Sequence, residues 1–155
     1  MMDNVNIKDT VKEEKAVELF KNGYNCAQAV IGVFCEENGL DKDIALRLAN
    51  GFGGGVRCGE ICGAVSGAIM AIGLRCGFYI EKDFAQKGYC NEKSYEFIEN
   101  FKEEYGSILC RDLLCVDIKC PGDHAKPDAV EAFKVICPKL VATAVRLVNN
   151  MTFER

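Results

Sequence analysis

The chain has 155 residues, ten of them cysteine, and a formal net charge of -4 at pH 7. Its length suits one domain able to bury about 70% of its unfolded surface. The acidic balance and the lack of a basic stripe argue against a nucleic-acid partner. No run approaches the ~20 apolar residues of a membrane span, which argues against membrane insertion.

The opening stretch, MMDNVNIKDTVKEEK, is polar and charged from its start and does not read as a signal peptide. A cytoplasmic protein is therefore expected. In a reducing compartment ten cysteines point away from disulfides and toward metal binding, redox chemistry or packing. No linker, low-complexity segment or internal repeat divides the chain, so a single domain over residues 1–155 is expected.

The apolar spacing is helical almost throughout. VKEEKAVELFKNG predicts a helix with Val11, Ala16, Leu19 and Phe20 inward and Gly23 as its stop. NCAQAVIGVFCEENGL predicts a second, with Asn25 as N-cap, a buried stripe of Cys26, Ala29, Val30, Val33 and Phe34, and Gly39 as its end. DKDIALRLAN is a short third helix capped by Asp41 or Asp43.

The glycine-rich stretch NGFGGGVRCGE follows, and then ICGAVSGAIMAIGLRCG. Gly63, Ala64, Gly67, Ala68 and Ala71 are small residues at helical spacing. Glycine inside a helix costs ~1 kcal/mol against alanine. Close approach of another backbone explains that cost, so this helix is expected at the centre of a bundle; a homodimer contact is the alternative.

EKSYEFIENFKEEYG predicts an amphipathic helix with Tyr95, Ile98, Phe101 and Tyr105 inward. SILCRDLLC predicts a short helix capped near Ser107, and VDIKCPGDHAK reads as loop. Pro127 opens a helix through DAVEAFKVI. Pro138 falls inside the next apolar run, where an interior proline would cost ~3 kcal/mol, so the helix should break at Cys137 as N-cap and restart at Pro138. No stretch alternates with period two. The fold class is all-α: a compact bundle of about six to seven helices with a glycine-rich loop.

Four thiols fall at four helix starts: Cys26, Cys62, Cys110 and Cys137. The helix N-terminus carries unpaired N–H groups and partial positive charge, both of which favour thiolate over thiol. Glycine N–H groups can donate to cysteine sulfur or to cluster sulfide, which marks Gly53, Gly54, Gly55, Gly59 and Gly63 as candidate cofactor-binding positions. Packing stays open for each thiol, least for Cys62 because of its loop. Cys58, Cys115 and Cys120 could be accessory ligands or resolving thiols. Cys35, Cys76 and Cys90 have no special setting and read as packing.

No C-x-x-C is present, so zinc-ribbon and thioredoxin spacings are missing. The only histidine, His124, sits in a Gly/Asp/Pro loop and reads as a surface residue. GFGGG lacks the strand and spacing of a dinucleotide loop. No Ser/His/acid or paired-carboxylate constellation is visible, so no enzyme activity or substrate is indicated.

Four segments together resemble the C_GCAxxG_C_C family: GYNCAQAV, FGGGVRCGEICGAVSGAIMAIGL, FKEEYGSILCRDLLC and ICPKLVATAV. The block around CGAxxG is the most specific. Carried over residue by residue, the four signature cysteines fall on Cys26, Cys62, Cys110 and Cys137, the set collected from helix starts. The resemblance implies a small helical redox protein associated with oxidoreductase systems. The extra thiols Cys58 and Cys115 depart from the usual pattern. No C-x-x-C-H is present, so haem is not implied.

Three functions follow as expectations. The first is an iron–sulfur or related metal site on Cys26, Cys62, Cys110 and Cys137, with Cys58 or Cys115 as added ligands, working in electron transfer with an oxidoreductase or electron-transfer partner. The second is a metal-free thiol–disulfide or sensor protein, with Cys62 as nucleophile and Cys58 or Cys110 resolving it. The third is a structural zinc protein.

Overall fold

The computed structural model describes residues 7–154; the first six residues of the polar N-terminal stretch lie outside them. In chain order the helices are α1 (Ile7–Lys21), α2 (Cys26–Gly32), α3 (Lys42–Ala49), α4 (Gly63–Cys76), α5 (Phe84–Tyr105), α6 (Cys110–Leu114), α7 (Pro127–Val135) and α8 (Cys137–Asn150). Seven run seven residues or longer, and α6 is little more than one turn. Among the described residues there is no β-sheet, only one isolated antiparallel bridge, Ile61 to Leu109. The all-α expectation holds.

α2 and α4 sit at the middle, α2 packed on α1, α3, α4 and α8, and α4 also on α5 and α8. Phe34, Phe97, Phe101, Ile72, Ile118 and Leu140 are wholly or almost wholly buried in one shared core. Polar ties fasten the helices at its rim. Arg75 on α4 donates to Val148 O at 3.2 Å, and the Tyr105 and Thr143 hydroxyls share a 2.9 Å hydrogen bond between α5 and α8.

The small-residue face of α4 is buried as expected, and its partner is α2. A Cβ on Gly67 would stand 2.7 Å from Ala27 O and 2.9 Å from Val30 Cβ; one on Gly63 would meet Ala27 N and Cys26 Cβ at 3.1 Å. The missing side chains let α4 lie on the backbone of α2. That contact takes up Gly63 and Gly67 within the chain.

Several local expectations are corrected. Val11 is 43% exposed, because α1 buries only the side carrying Ala16, Leu19 and Phe20. α2 stops at Gly32, before Gly39, which instead closes a short 3-10 turn in left-handed conformation. Asn25 caps α2 in a reciprocal capping box with Gln28, and Asp41, not Asp43, caps α3. α5 extends back to Phe84 with Asp83 as its cap. Phe97 and Phe101 are fully buried and Ile98 and Tyr105 pack against the core, while Tyr95, expected inward, is 65% exposed. Pro127 does open α7. α8 begins at Cys137 with Ile136 at the cap position, one residue ahead of the expected cap.

Two glycines of α4 should respond oppositely to the same change. Gly67→Ala presses a methyl into the α2 backbone and should destabilise the fold by ~1–3 kcal/mol. Gly73 has nothing within 4 Å of an added Cβ, so Gly73→Ala should stabilise by up to ~1 kcal/mol through helix propensity. Urea denaturation of the two variants checks both signs.

Candidate functional site

Two backbone hydrogen bonds do what no local pattern announces. Cys62 N donates to Ile108 O at 2.8 Å, and Cys110 N donates to Glu60 O at 2.7 Å. They flank the bridge between Ile61 and Leu109 and set the start of α4 beside the start of α6. Arg111 reinforces the join by an ion pair to Glu60 at 2.6 Å. Cys62 is thus the residue preceding α4, one position outside the first turn expected for it, and Cys110 opens α6. Ser107 supports α6 from outside its cap: its hydroxyl accepts from Leu109 N and donates to Asp112.

The first turn of α2 brings Cys26 to the same place through the Gly63 contact, and α8 brings Cys137. The Cys26 and Cys137 side chains lie within hydrogen-bonding reach of each other. Cys62 is close enough to feel the charge of Cys26, and Cys110 that of both. All four thiols are buried and free. Cys26 thus has Cys137, Cys62 and Cys110 as neighbours, and four helix starts meet around it.

The electrostatics differ from the helix-start argument. Two N–H groups, Ala64 and Val65, do face the Cys62 sulfur and favour its thiolate. Burial and the nearby Cys26 outweigh them, pushing Cys62 up from 9.0 to about 12. Burial, then Cys62 and Cys26, push Cys110 up to about 12. For Cys26 the hydrogen bond its S–H donates to Cys137, then burial, raise the thiol well above its ordinary range. These three are protonated thiols at neutral pH, so any ligation must remove their protons.

The glycine-rich stretch has a clear structural part of its own. The N–H groups at Cys62 come from α4 itself. Gly54, Gly55, Val56 and Arg57 instead form a run of left-handed residues, φ 60, 65, 54 and 62. For Val56 and Arg57 that conformation costs about 1–2 kcal/mol each. Surrounding contacts hold the run in place. Glu60 N donates to Gly55 O at 2.9 Å, and the His124 Nε2–H donates to Gly54 O at 3.1 Å. The other glycines serve close approach, Gly53 to Asn25, Gly55 to Cys110 and Gly59 to the Ile118 carbonyl.

His124, expected as a surface residue, is half-buried and has partners. It stacks on Phe133, with ring centroids 5.6 Å apart and 7° between planes. With Tyr24, Arg57 and Phe133 it lines a cleft of about 350 Å³ that reaches Cys26. No sequence signal marked it, because its partners Gly54 and Phe133 are 70 and 9 positions away.

The remaining thiols separate cleanly. Cys58 faces Gly55 O at 3.6 Å and Cys115, exposed at the end of α6, faces Asp112 O at 3.4 Å. Cys120 is exposed before a 3-10 turn, and Cys35 is a packed core thiol. Cys76 and Cys90, expected to be incidental, touch each other across α4 and α5. Among the described residues no group of three or more His, Cys, Asp or Glu side chains is set closely enough to hold a metal ion.

Two outcomes follow. A brief pulse of iodoacetamide at pH 7 should label exposed Cys115 and Cys120 and leave Cys26, Cys62 and Cys110 unmodified until denaturant is added, as read by peptide mass. Because Cys62 and Cys110 bind protons more tightly folded than unfolded, their contribution to stability is fully present below pH 9 and is lost as pH rises toward 12. The urea midpoint of the reduced protein should fall across that window, and less steeply in Cys110→Ala.

Comparison with curated proteins and with solved structures returned no match. A family model does match, over residues 24–151, under the description "Putative redox-active protein (C_GCAxxG_C_C)". It spans all four converging cysteines, the glycine-rich turn and the α2–α4 contact. With more than half its length matched, the chain belongs to the C_GCAxxG_C_C family of redox-active proteins.

Proposed function

We propose that this protein transfers electrons through an iron–sulfur cluster ligated by Cys26, Cys62, Cys110 and Cys137, with an oxidoreductase or another electron carrier as its partner. The observation that carries the reading is the convergence of four buried cysteines from four separate helix starts. Four thiolates are the usual ligand set of a 2Fe–2S or 4Fe–4S cluster.

Four cysteine sulfurs are the donor chemistry of such a cluster and equally of a tetrahedral zinc. Among the described residues no group of three or more is set closely enough to hold a metal ion, so loading with either would have to draw the sulfurs together. When bound, the cluster supplies a one-electron couple.

The chain supplies the rest. Ala64 and Val65 donate N–H groups to the Cys62 sulfur, which stabilises charge there and helps set the potential. Burial keeps water from the sulfurs. The cleft beside Tyr24, Arg57, His124 and Phe133 is the approach to Cys26. Cys58 and Cys115 turn to other partners and are left out of the ligand set.

A second reading has its own support. The contact between Cys26 and Cys137 suits a metal-free dithiol that cycles with a disulfide. It stands beside the expected pairing of Cys62 with Cys58 or Cys110; Cys110 feels the charge of Cys62, while the Cys58 thiol faces Gly55 O.

Protein purified without oxygen should be brown, with iron and acid-labile sulfide in near-equal amounts. Colour should vanish in Cys62→Ser while the helical circular dichroism stays. Loading must displace protons from Cys26, Cys62 and Cys110, so apparent affinity for the cluster should rise with pH. A colourless protein without iron, in which Cys26 and Cys137 oxidise and reduce together, would establish the second reading instead; zinc alone would mean a structural site.

A further inference from the structure

Two of the remaining cysteines form a group of their own. Cys76 closes α4, at the end opposite Cys62, and Cys90 lies in the second turn of α5. The 14 residues of α4 hold the two ends roughly 20 Å apart. Across the α4–α5 contact the Cys76 and Cys90 side chains lie within hydrogen-bonding reach. Cys76 Sγ also lies 3.3 Å from Ile72 O and donates its S–H there.

The two thiols are unequal. Cys76 is 5% exposed, while Cys90 is half-buried. Burial, together with Cys90, pushes Cys76 up to about 12, and the ammonium of Lys93, one turn beyond Cys90, opposes that rise. Cys90 is the thiol an incoming reagent meets first. Beside the pair a cleft of about 530 Å³ opens on Cys76, lined also by Phe78, Tyr79, Ile80 and Gln86. Phe78, Tyr79 and Ile80 are exposed there, as is Phe84 at the start of α5.

We infer that Cys76 and Cys90 are a second thiol site, a dithiol that closes to an intramolecular disulfide by exchange with a disulfide-bearing substrate. The Cys90 thiolate attacks one sulfur of R–S–S–R. The Cys90–S–S–R bond forms, the R–S–S–R bond breaks, and the departing thiolate takes up the proton that Cys90 released. Cys76 then attacks the Cys90 sulfur, its proton going to the second leaving thiolate. Two protein thiols are oxidised to one disulfide and the substrate disulfide is reduced to two thiols, so electrons and protons balance. The new bond closes a ring over the intervening residues 77–89 and ties the exposed Phe78–Ile80 turn to α5. The site uses none of the four family cysteines and stands or falls apart from the cluster reading.

The test is a peptide map. Reduced full-length protein is exposed to oxidised glutathione, quenched with acid, alkylated and digested with trypsin. Cleavage at Arg75, Lys82, Lys87 and Lys93 places Cys76 in CGFYIEK and Cys90 in GYCNEK. The expected product is these two peptides joined, two hydrogens lighter than their sum, and separated again by dithiothreitol. Cys76→Ser should retain glutathione on Cys90, whereas Cys90→Ser should leave Cys76 without it. Recovery of both peptides singly from folded wild-type protein, or of Cys90 joined to a different cysteine, overturns the inference. The wild-type map decides by itself should either variant fail to fold.

Discussion

Everything in this fold rests on how closely α4 lies against α2. Gly67 admits Ala27 O, and Gly63 admits Cys26 and Ala27, at distances that a methyl group would violate. Side-chain packing elsewhere is ordinary: three buried phenylalanines and a set of aliphatic residues from α2, α4, α5 and α8. The glycine contact is different because it fixes the depth of one helix N-terminus beside another. Without it, Cys26 and Cys62 would stand a side chain's thickness further apart. The helix-propensity cost of two interior glycines is offset by the dispersion contacts of two backbones in direct touch.

The second device is the single bridge between Ile61 and Leu109. It is too short to be a strand, yet its two flanking hydrogen bonds set the backbone of Cys62 and Cys110 in register. The left-handed run from Gly54 to Arg57 makes this possible by turning the chain sharply between α3 and the bridge. Val56 and Arg57 pay a conformational penalty that glycine would avoid. Glu60 from within the turn and His124 from the loop before α7 hold the run, and Ile118 of that same loop packs on Gly59 just after it.

The electrostatics of the four-cysteine group show one effect overruling another. Helix starts do favour thiolates, and two N–H groups act on Cys62 in that sense. Yet desolvation grows with burial, and thiolates close together repel. Both terms act in the same direction on Cys26, Cys62 and Cys110. In the absence of a cation Cys26, Cys62 and Cys110 rest as neutral thiols, and a bound cation would reverse the balance.

Much of this was legible beforehand, and for definite reasons. Helical periodicity, the Asn25 cap, Pro127 at a helix start and the small-residue face of α4 are local or nearly local signals, so the all-α class and the central place of α4 could be read from them. The four cysteines could be collected because each sits beside a helix start. Their meeting could not be derived that way: it depends on one β-bridge and one glycine contact between segments 36 to 48 positions apart, which no periodicity records. The same limit hid His124, whose partners lie in the glycine-rich turn and α7, and the Cys76–Cys90 pair, which exists only because α4 and α5 pack together. It also misplaced Tyr95, since a helix of 22 residues presents several apolar stripes and only its neighbours choose among them. By itself the sequence determined which segments are helices and which thiols lie at their ends, because hydrogen bonding within a helix is settled over a few residues. Only the tertiary structure decided which thiols share a space, and whether they hold their protons, because proximity and desolvation belong to the packed whole.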